Sequence, residues 1–143
     1  GSEMCIRDRL LLGQPYETLP AGEAGLREIT ERLSLGGRRS VVLTGASLAP
    51  GRTGAVCFDA RTGKTEAVQT AYVAHEFHGT GDVFSSVLTG ALVRGESLSS
   101  AAGEAAAFVR ACAERTAAED LPMREGVDFE PLLGLLIPGK ETV

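Results

Sequence analysis

Apolar positions recur at helical spacing from the start of the interpretable chain. Leu26, Ile29 and Leu33 lie on one stripe with charged residues between them, which predicts an amphipathic helix over Ala21–Leu35 closed by Gly36-Gly37. The pattern then contracts to a β-branched run, Ser40-Val41-Val42-Leu43-Thr44, ending at Gly45. It reads as a buried strand, and a helix followed by a buried strand is the rhythm of a parallel sheet. Two more strands are expected at Thr53–Asp59 and Thr65–Val73. The loop Ala60–Lys64 between them suits a hairpin, so the sheet gains an antiparallel edge. Helical spacing returns from about Asp82 to Val93 through Val83, Phe84, Val87, Leu88, Ala91 and Leu92, and Arg94-Gly95 ends it. A longer helix over Leu98–Ala118 carries an alanine-rich face that permits close helix packing. The Met123–Gly126 loop and a short terminal helix around Glu130–Leu136 follow. The expected fold class is α/β.

The beginning of the chain breaks this order. Leu10-Leu11-Leu12-Gly13-Gln14-Pro15-Tyr16 has the form of a helix end, stopped by Gly13 and Pro15. A domain rarely starts on the last turn of a helix, so residues 10–143 are expected to be the C-terminal part of something longer. Gly1–Arg9 reads as translated adapter sequence, a scar excluded from the fold.

Length and composition narrow the classes. The 143 residues, 43% hydrophobic, suffice for one compact domain with a core. A net charge of −5 without a long basic run argues against nucleic acid as a partner. No apolar stretch approaches the roughly 20 residues of a membrane span. Cys5, Cys57 and Cys112 lack metal-ligand or redox spacing. They read as small buried residues in a reducing cytoplasm.

The segment His78-Gly79-Thr80-Gly81-Asp82 carries the chemistry. It runs directly into the apolar pattern Val83-Phe84-Ser85-Ser86-Val87-Leu88. A glycine-rich turn at a helix start leaves N–H groups aimed outward, and the helix dipole adds positive potential there. Such a turn suits a phosphate. An aspartate in the same turn suits a base that takes the proton of an attacking hydroxyl. The four residues Gly-Thr-Gly-Asp alone are read more simply as an N-cap; the surrounding sequence shifts the balance. His78 is expected as a turn residue, Lys64 as solvated, and Tyr72 and Phe77 as core aromatics. His75 carries no case beyond proximity.

The stretch from His78 to Ser86 resembles the anion-hole segment of the ribokinase-like superfamily, and within it the pyridoxal (pyridoxine, pyridoxamine) kinases. Leu11–Tyr16, Val41–Gly45 and Gly126–Leu132 resemble further segments of that family in the same order. The resemblance implies the C-terminal portion of a three-layer α/β/α sandwich with a mostly parallel sheet and an antiparallel edge hairpin. It implies phosphorylation of the 5′-hydroxymethyl of a B6 vitamer by ATP with Mg²⁺. On this resemblance Asp82 is the catalytic base, Gly79, Thr80 and Gly81 form the anion hole, and Thr44 and Gly45 lie near the ATP phosphates. The family's Asn-x-x-Glu magnesium motif and substrate pocket belong upstream of Leu10, so no metal ligand is assigned here. The isolated fragment is expected to be inactive. The family is commonly dimeric, which leaves a homodimer open for the full-length protein.

Three alternatives stand beside this. Hydroxymethylpyrimidine kinases share His-Gly-Thr-Gly but generally place Cys where Asp82 stands. Sugar kinases usually read Gly-Ala-Gly-Asp after an Asp-Thr pair, whereas Glu76-Phe77 stands here. A truncated, non-catalytic domain is the third.

Overall fold

The computed structural model describes residues 13, 22–73, 77–119 and 126–137. Gly1–Arg9, the Leu10–Tyr16 segment apart from Gly13, His75, Glu76 and the Met123–Arg124–Glu125 part of the loop lie outside the described residues. The chain divides into two compact units, Gly1–Gln69 and Thr70–Val143.

In the first unit, helix α1 (Gly22–Leu33) packs on strands β1 (Val41–Thr44) and β2 (Arg52–Asp59), with β3 (Lys64–Ala71) completing a sheet of order β1-β2-β3. The periodicity placed the core well. Ile29 and Leu33 of α1 meet Leu43, Ala46 and Val56, with Leu26, Val41 and Ala67 against them. Burying such side chains is the dominant favourable contribution to folding. Arg27 adds a polar tie, donating to the Thr65 carbonyl of β3 at 2.6 Å while pairing with Glu23 at 2.7 Å.

α1 ends two residues earlier than the pattern suggested. The Ser34 hydroxyl donates to the Glu31 carbonyl at 2.5 Å, and Leu35 already adopts φ 55°. Arg39 then donates to the Leu33 carbonyl at 2.8 Å. Side-chain bonds to the last turn compete with the helical ladder and close it.

The α/β class holds, but the strand directions differ from the expected mostly parallel sheet. β1 pairs antiparallel with β2, Val41 opposite Phe58 and Thr44 opposite Ala55, and the three described strands form an antiparallel sheet. The connections explain this. Residues 45–51 and 60–63 are far shorter than the dozen or more residues of a parallel crossover. The expected hairpin is present. Asp59 closes it by accepting the Arg61 N–H on its carboxylate at 2.9 Å and the Gly63 N–H on its carbonyl at 2.7 Å.

The second unit is built on helices α2 (Thr80–Val93) and α3 (Leu98–Ala118) and a terminal 3-10 helix (Glu130–Leu136). α3 matches its expected span and is capped by Ser97, whose hydroxyl accepts the Ser100 N–H at 3.2 Å. Ala101, Ala102, Ala105 and Phe108 of α3 are buried, as are Phe84, Val87 and Ala91 of α2. The small face permits the extensive contact between the two helices. Arg94, after α2, bridges Glu96 at 2.9 Å and Glu104 at 2.6 Å.

Two predictions follow from this packing. A Cβ on Gly54 of β2 would lie 1.9 Å from the Val68 carbonyl oxygen of β3, a backbone collision with no flexible partner to yield. Gly54→Ala is expected to cost about 3 kcal/mol or more of the first unit's stability, read as a lowered urea midpoint by circular dichroism. Burial pushes the Cys57 thiol from 9.0 up to about 11, with Glu66 adding, and the Cys112 thiol likewise to about 11, with Asp128 adding. The unfolded chain therefore loses these protons near pH 9 while the folded chain keeps them. The corresponding stability is intact below pH 9 and is lost as pH climbs towards 11. Urea midpoints measured across that range should fall, and a Cys57→Ala/Cys112→Ala variant should show a flatter slope.

Candidate anion-binding turn and cleft

The turn predicted to be chemical sits at the start of α2. Gly79 is the N-cap and has φ 84°, ψ −7°, a left-handed conformation that L side chains rarely adopt. It lets the chain turn sharply into the helix, so α2 begins at Thr80, two residues before the expected start. Val83 is the first residue whose N–H reaches back four positions, bonding the Gly79 carbonyl at 3.0 Å. The N–H groups of Gly79, Thr80, Gly81 and Asp82 precede it and have no acceptor within the helix. Glycine at the cap offers no side chain to cover them. A Cβ at Gly79 or Gly81 would meet no atom of the described residues within 4 Å, so among them the approach to this turn is open.

Asp82 lies in this first turn and is exposed. The Thr80 hydroxyl points back to the Phe77 carbonyl at 3.4 Å, while Ser85 and Ser86 donate to the Gly81 and Asp82 carbonyls, each at 2.8 Å. These bonds occupy carbonyls and leave the N–H groups open.

A cleft of about 580 Å³ adjoins the turn. Asp82, Ser86, Gly90 and Arg94 line it from one face of α2, a stripe with four-residue spacing about 18 Å long. Val83, Val87 and Phe108 supply apolar wall, and Val127, Phe129, Leu133 and Leu136 close it from the C-terminal segment. Arg94 brings no free positive charge here, being shared by two carboxylates. Hydrogen bonds from Ser100 and then Arg94 hold the Glu96 carboxyl below its ordinary range.

The structure thus brings Gly79, Thr80, Gly81 and Asp82 together in one turn. Thr44 ends β1, and the exposed Gly45 follows it with φ 68°. Both belong to the first unit, whereas the turn belongs to the second. Lys64 begins β3 exposed, and Tyr72 is exposed rather than core. His78 lines the cleft, and its carbonyl accepts the Val127 N–H at 3.1 Å. That contact, and the apolar wall from Phe129 to Leu136, were missed from sequence. The one local signal was Gly126 ahead of Val127. Among the described residues no group of three or more His, Cys, Asp or Glu stands together as a metal site, and no step is assigned to a metal. Among the same residues no helix is long and apolar enough to cross a membrane.

Comparison with known proteins places the chain in a family. The phosphomethylpyrimidine kinase family matches residues 9–126. A Bacteroides thetaiotaomicron protein, provisionally described as a phosphomethylpyrimidine kinase, is 28% identical in a rhombohedral crystal form, with TM-score 0.79 over 91% of this chain and 45% of that one. Its orthorhombic form, determined with pyridoxal, is 29% identical with TM-score 0.79 over 90% and 46%. Pyridoxal kinase from Lactobacillus plantarum is 25% identical with TM-score 0.73, covering 90% of this chain and 45% of that one. No curated protein matches the chain. The chain spans a little less than half the length of the solved relatives it matches. With a first-turn aspartate beside open main-chain donors, and a match running through both units, the chain belongs to the phosphomethylpyrimidine kinase family, within the ribokinase-like superfamily that includes the pyridoxal kinases.

Proposed function

We propose that this chain, from Leu10 on, is the C-terminal part of an ATP-dependent kinase that phosphorylates the 5′-hydroxymethyl group of a B6 vitamer. The observation that carries the reading is Asp82 in the same turn as the open N–H groups of α2, beside a cleft of about 580 Å³. The substrate hydroxyl is a poor nucleophile at neutral pH. Asp82 takes its proton as the bond to phosphorus forms, a contribution of about 100- to 10,000-fold in rate. The N–H groups from Gly79 to Asp82 bind oxygens of the transferred phosphoryl group as charge shifts among them. The open space next to Gly79 and Gly81 among the described residues leaves these N–H groups accessible to a phosphate. Thr44 and Gly45, at the carboxyl end of β1, are assigned to the ATP phosphates, because ligands gather at such strand ends. ATP brings the phosphoryl group; as the bond from the acceptor oxygen to the γ-phosphorus forms, the bond from that phosphorus to the β,γ-bridging oxygen breaks and ADP leaves, with Mg²⁺ supplied through residues upstream of this chain. The enzyme acts in a reducing cytoplasm, where the buried Cys57 and Cys112 stay free thiols.

Two observations favour a B6 vitamer as acceptor. Asp82 stands where hydroxymethylpyrimidine kinases generally carry Cys, and the Bacteroides relative was determined with pyridoxal. The second reading, a hydroxymethylpyrimidine kinase, draws support from the family match itself.

The tests separate chemistry from completeness. With the upstream reading frame restored, Asp82→Asn should lower turnover about 100-fold or more while calorimetry finds ATP affinity unchanged. Near-normal turnover in that variant rejects Asp82 as the base. A panel of pyridoxal, pyridoxine and hydroxymethylpyrimidine should show preference for the B6 vitamers, and the reverse order establishes the second reading. The 143 residues alone are expected to give no turnover, since the substrate pocket is assigned upstream. Robust vitamin phosphorylation by them would refute that assignment.

A further inference from the structure

The C-terminal segment reaches the glycine turn through one residue pair. Buried Val127 donates its N–H to the His78 carbonyl at 3.1 Å. Gly126, just before it, has φ 77°, and a Cβ there would come within 3.2 Å of the same carbonyl oxygen. The next residue is anchored elsewhere. The Asp128 N–H donates at 2.9 Å to the buried Thr116 hydroxyl of α3, which itself donates to the Cys112 carbonyl at 2.7 Å. Arg115 grips the Asp128 carboxylate at 2.9 Å. Two consecutive main-chain N–H groups thus tie different elements together, one holding the turn and the other holding α3.

The consequence lies in one peptide plane. The His78 carbonyl and the Gly79 N–H belong to the same planar trans peptide and point in opposite directions. Pinning the carbonyl therefore fixes where the Gly79 N–H is aimed. A carbonyl that already accepts a hydrogen bond also leaves its peptide N–H a stronger donor. We propose that Thr116 and Arg115, acting through the Gly126–Asp128 strap, are positioning residues that set the direction of the Gly79 N–H in the phosphate-binding turn. This rests on the reading of that turn as a phosphate cradle. Neither residue touches the phosphate.

The test uses the 143-residue chain, isotope-labelled, with inorganic phosphate as the probe and the Gly79 and Gly81 amide signals as readout. Thr116→Val keeps the side-chain shape but offers the Asp128 N–H no acceptor. It should speed hydrogen exchange at Val127 and weaken phosphate binding at Gly79, each about tenfold. Thr116→Ser should restore both. If Thr116→Val fails to fold, Arg115→Met carries the same test, with a smaller change in the same direction. Faster exchange at Val127 with an unchanged phosphate response would overturn the proposal, as would unchanged exchange in both variants. No phosphate response in the unmutated chain defeats the cradle reading itself, and the positioning role falls with it.

Discussion

Four main-chain N–H groups at the start of α2, from Gly79 to Asp82, have no carbonyl of their own helix to bond, and the candidate site is organised around that deficit. Most helices resolve it with a Ser, Thr, Asp or Asn at the N-cap, whose oxygen covers one or two of the donors. Here the cap is Gly79, held at φ 84°. It contributes the turn and covers nothing. With glycine at that position, the stability forgone by leaving out a capping side chain is only a few tenths of a kcal/mol. In exchange the donors remain available to an anion from outside. Thr80, the nearest residue able to compete, turns its hydroxyl to the Phe77 carbonyl instead.

The rest of the second unit keeps that turn in place. α2 and α3 approach closely because Ala91, Ala101, Ala102 and Ala105 are buried and small. Arg94 joins the end of α2 to Glu104 of α3. The strap from Gly126 to Asp128 then runs between α3 and the turn. Rigid helices fix the position of the turn, and a main-chain bond to His78 fixes its orientation. A loop alone could supply neither, since exposed connecting segments are the more mobile parts of a fold.

Helices and strands were legible in the sequence because their periodicity is local. α3 was read to the residue, and the strands to within two. Boundaries failed where side chains or special backbone intervened. Ser34 and Leu35 close α1 early, and Gly79 starts α2 early. The partner of β1 was not legible, because pairing is a property of connection length and sheet order rather than of one strand's composition. The glycine turn and its aspartate could be read from four adjacent residues. The strap could not, since Val127 lies 49 positions from the carbonyl it holds. Beyond Gly126 itself, nothing in the local pattern announces the two anchors of Val127 and Asp128.

That difference in range bears on how such a kinase would divide its chemistry. On the proposed reading, the base and the anion donors lie within four residues, Gly79 to Asp82, so helix geometry alone sets the spacing between them. That spacing does not depend on which alcohol is presented. Substrate choice can then reside in residues upstream of this segment and change without disturbing the transfer step. A family whose members include both pyridoxal and pyrimidine kinases is what such a separation would allow. The aim of the turn, by contrast, stays exposed to distant change, because His78 is held by Val127, 49 positions along the chain.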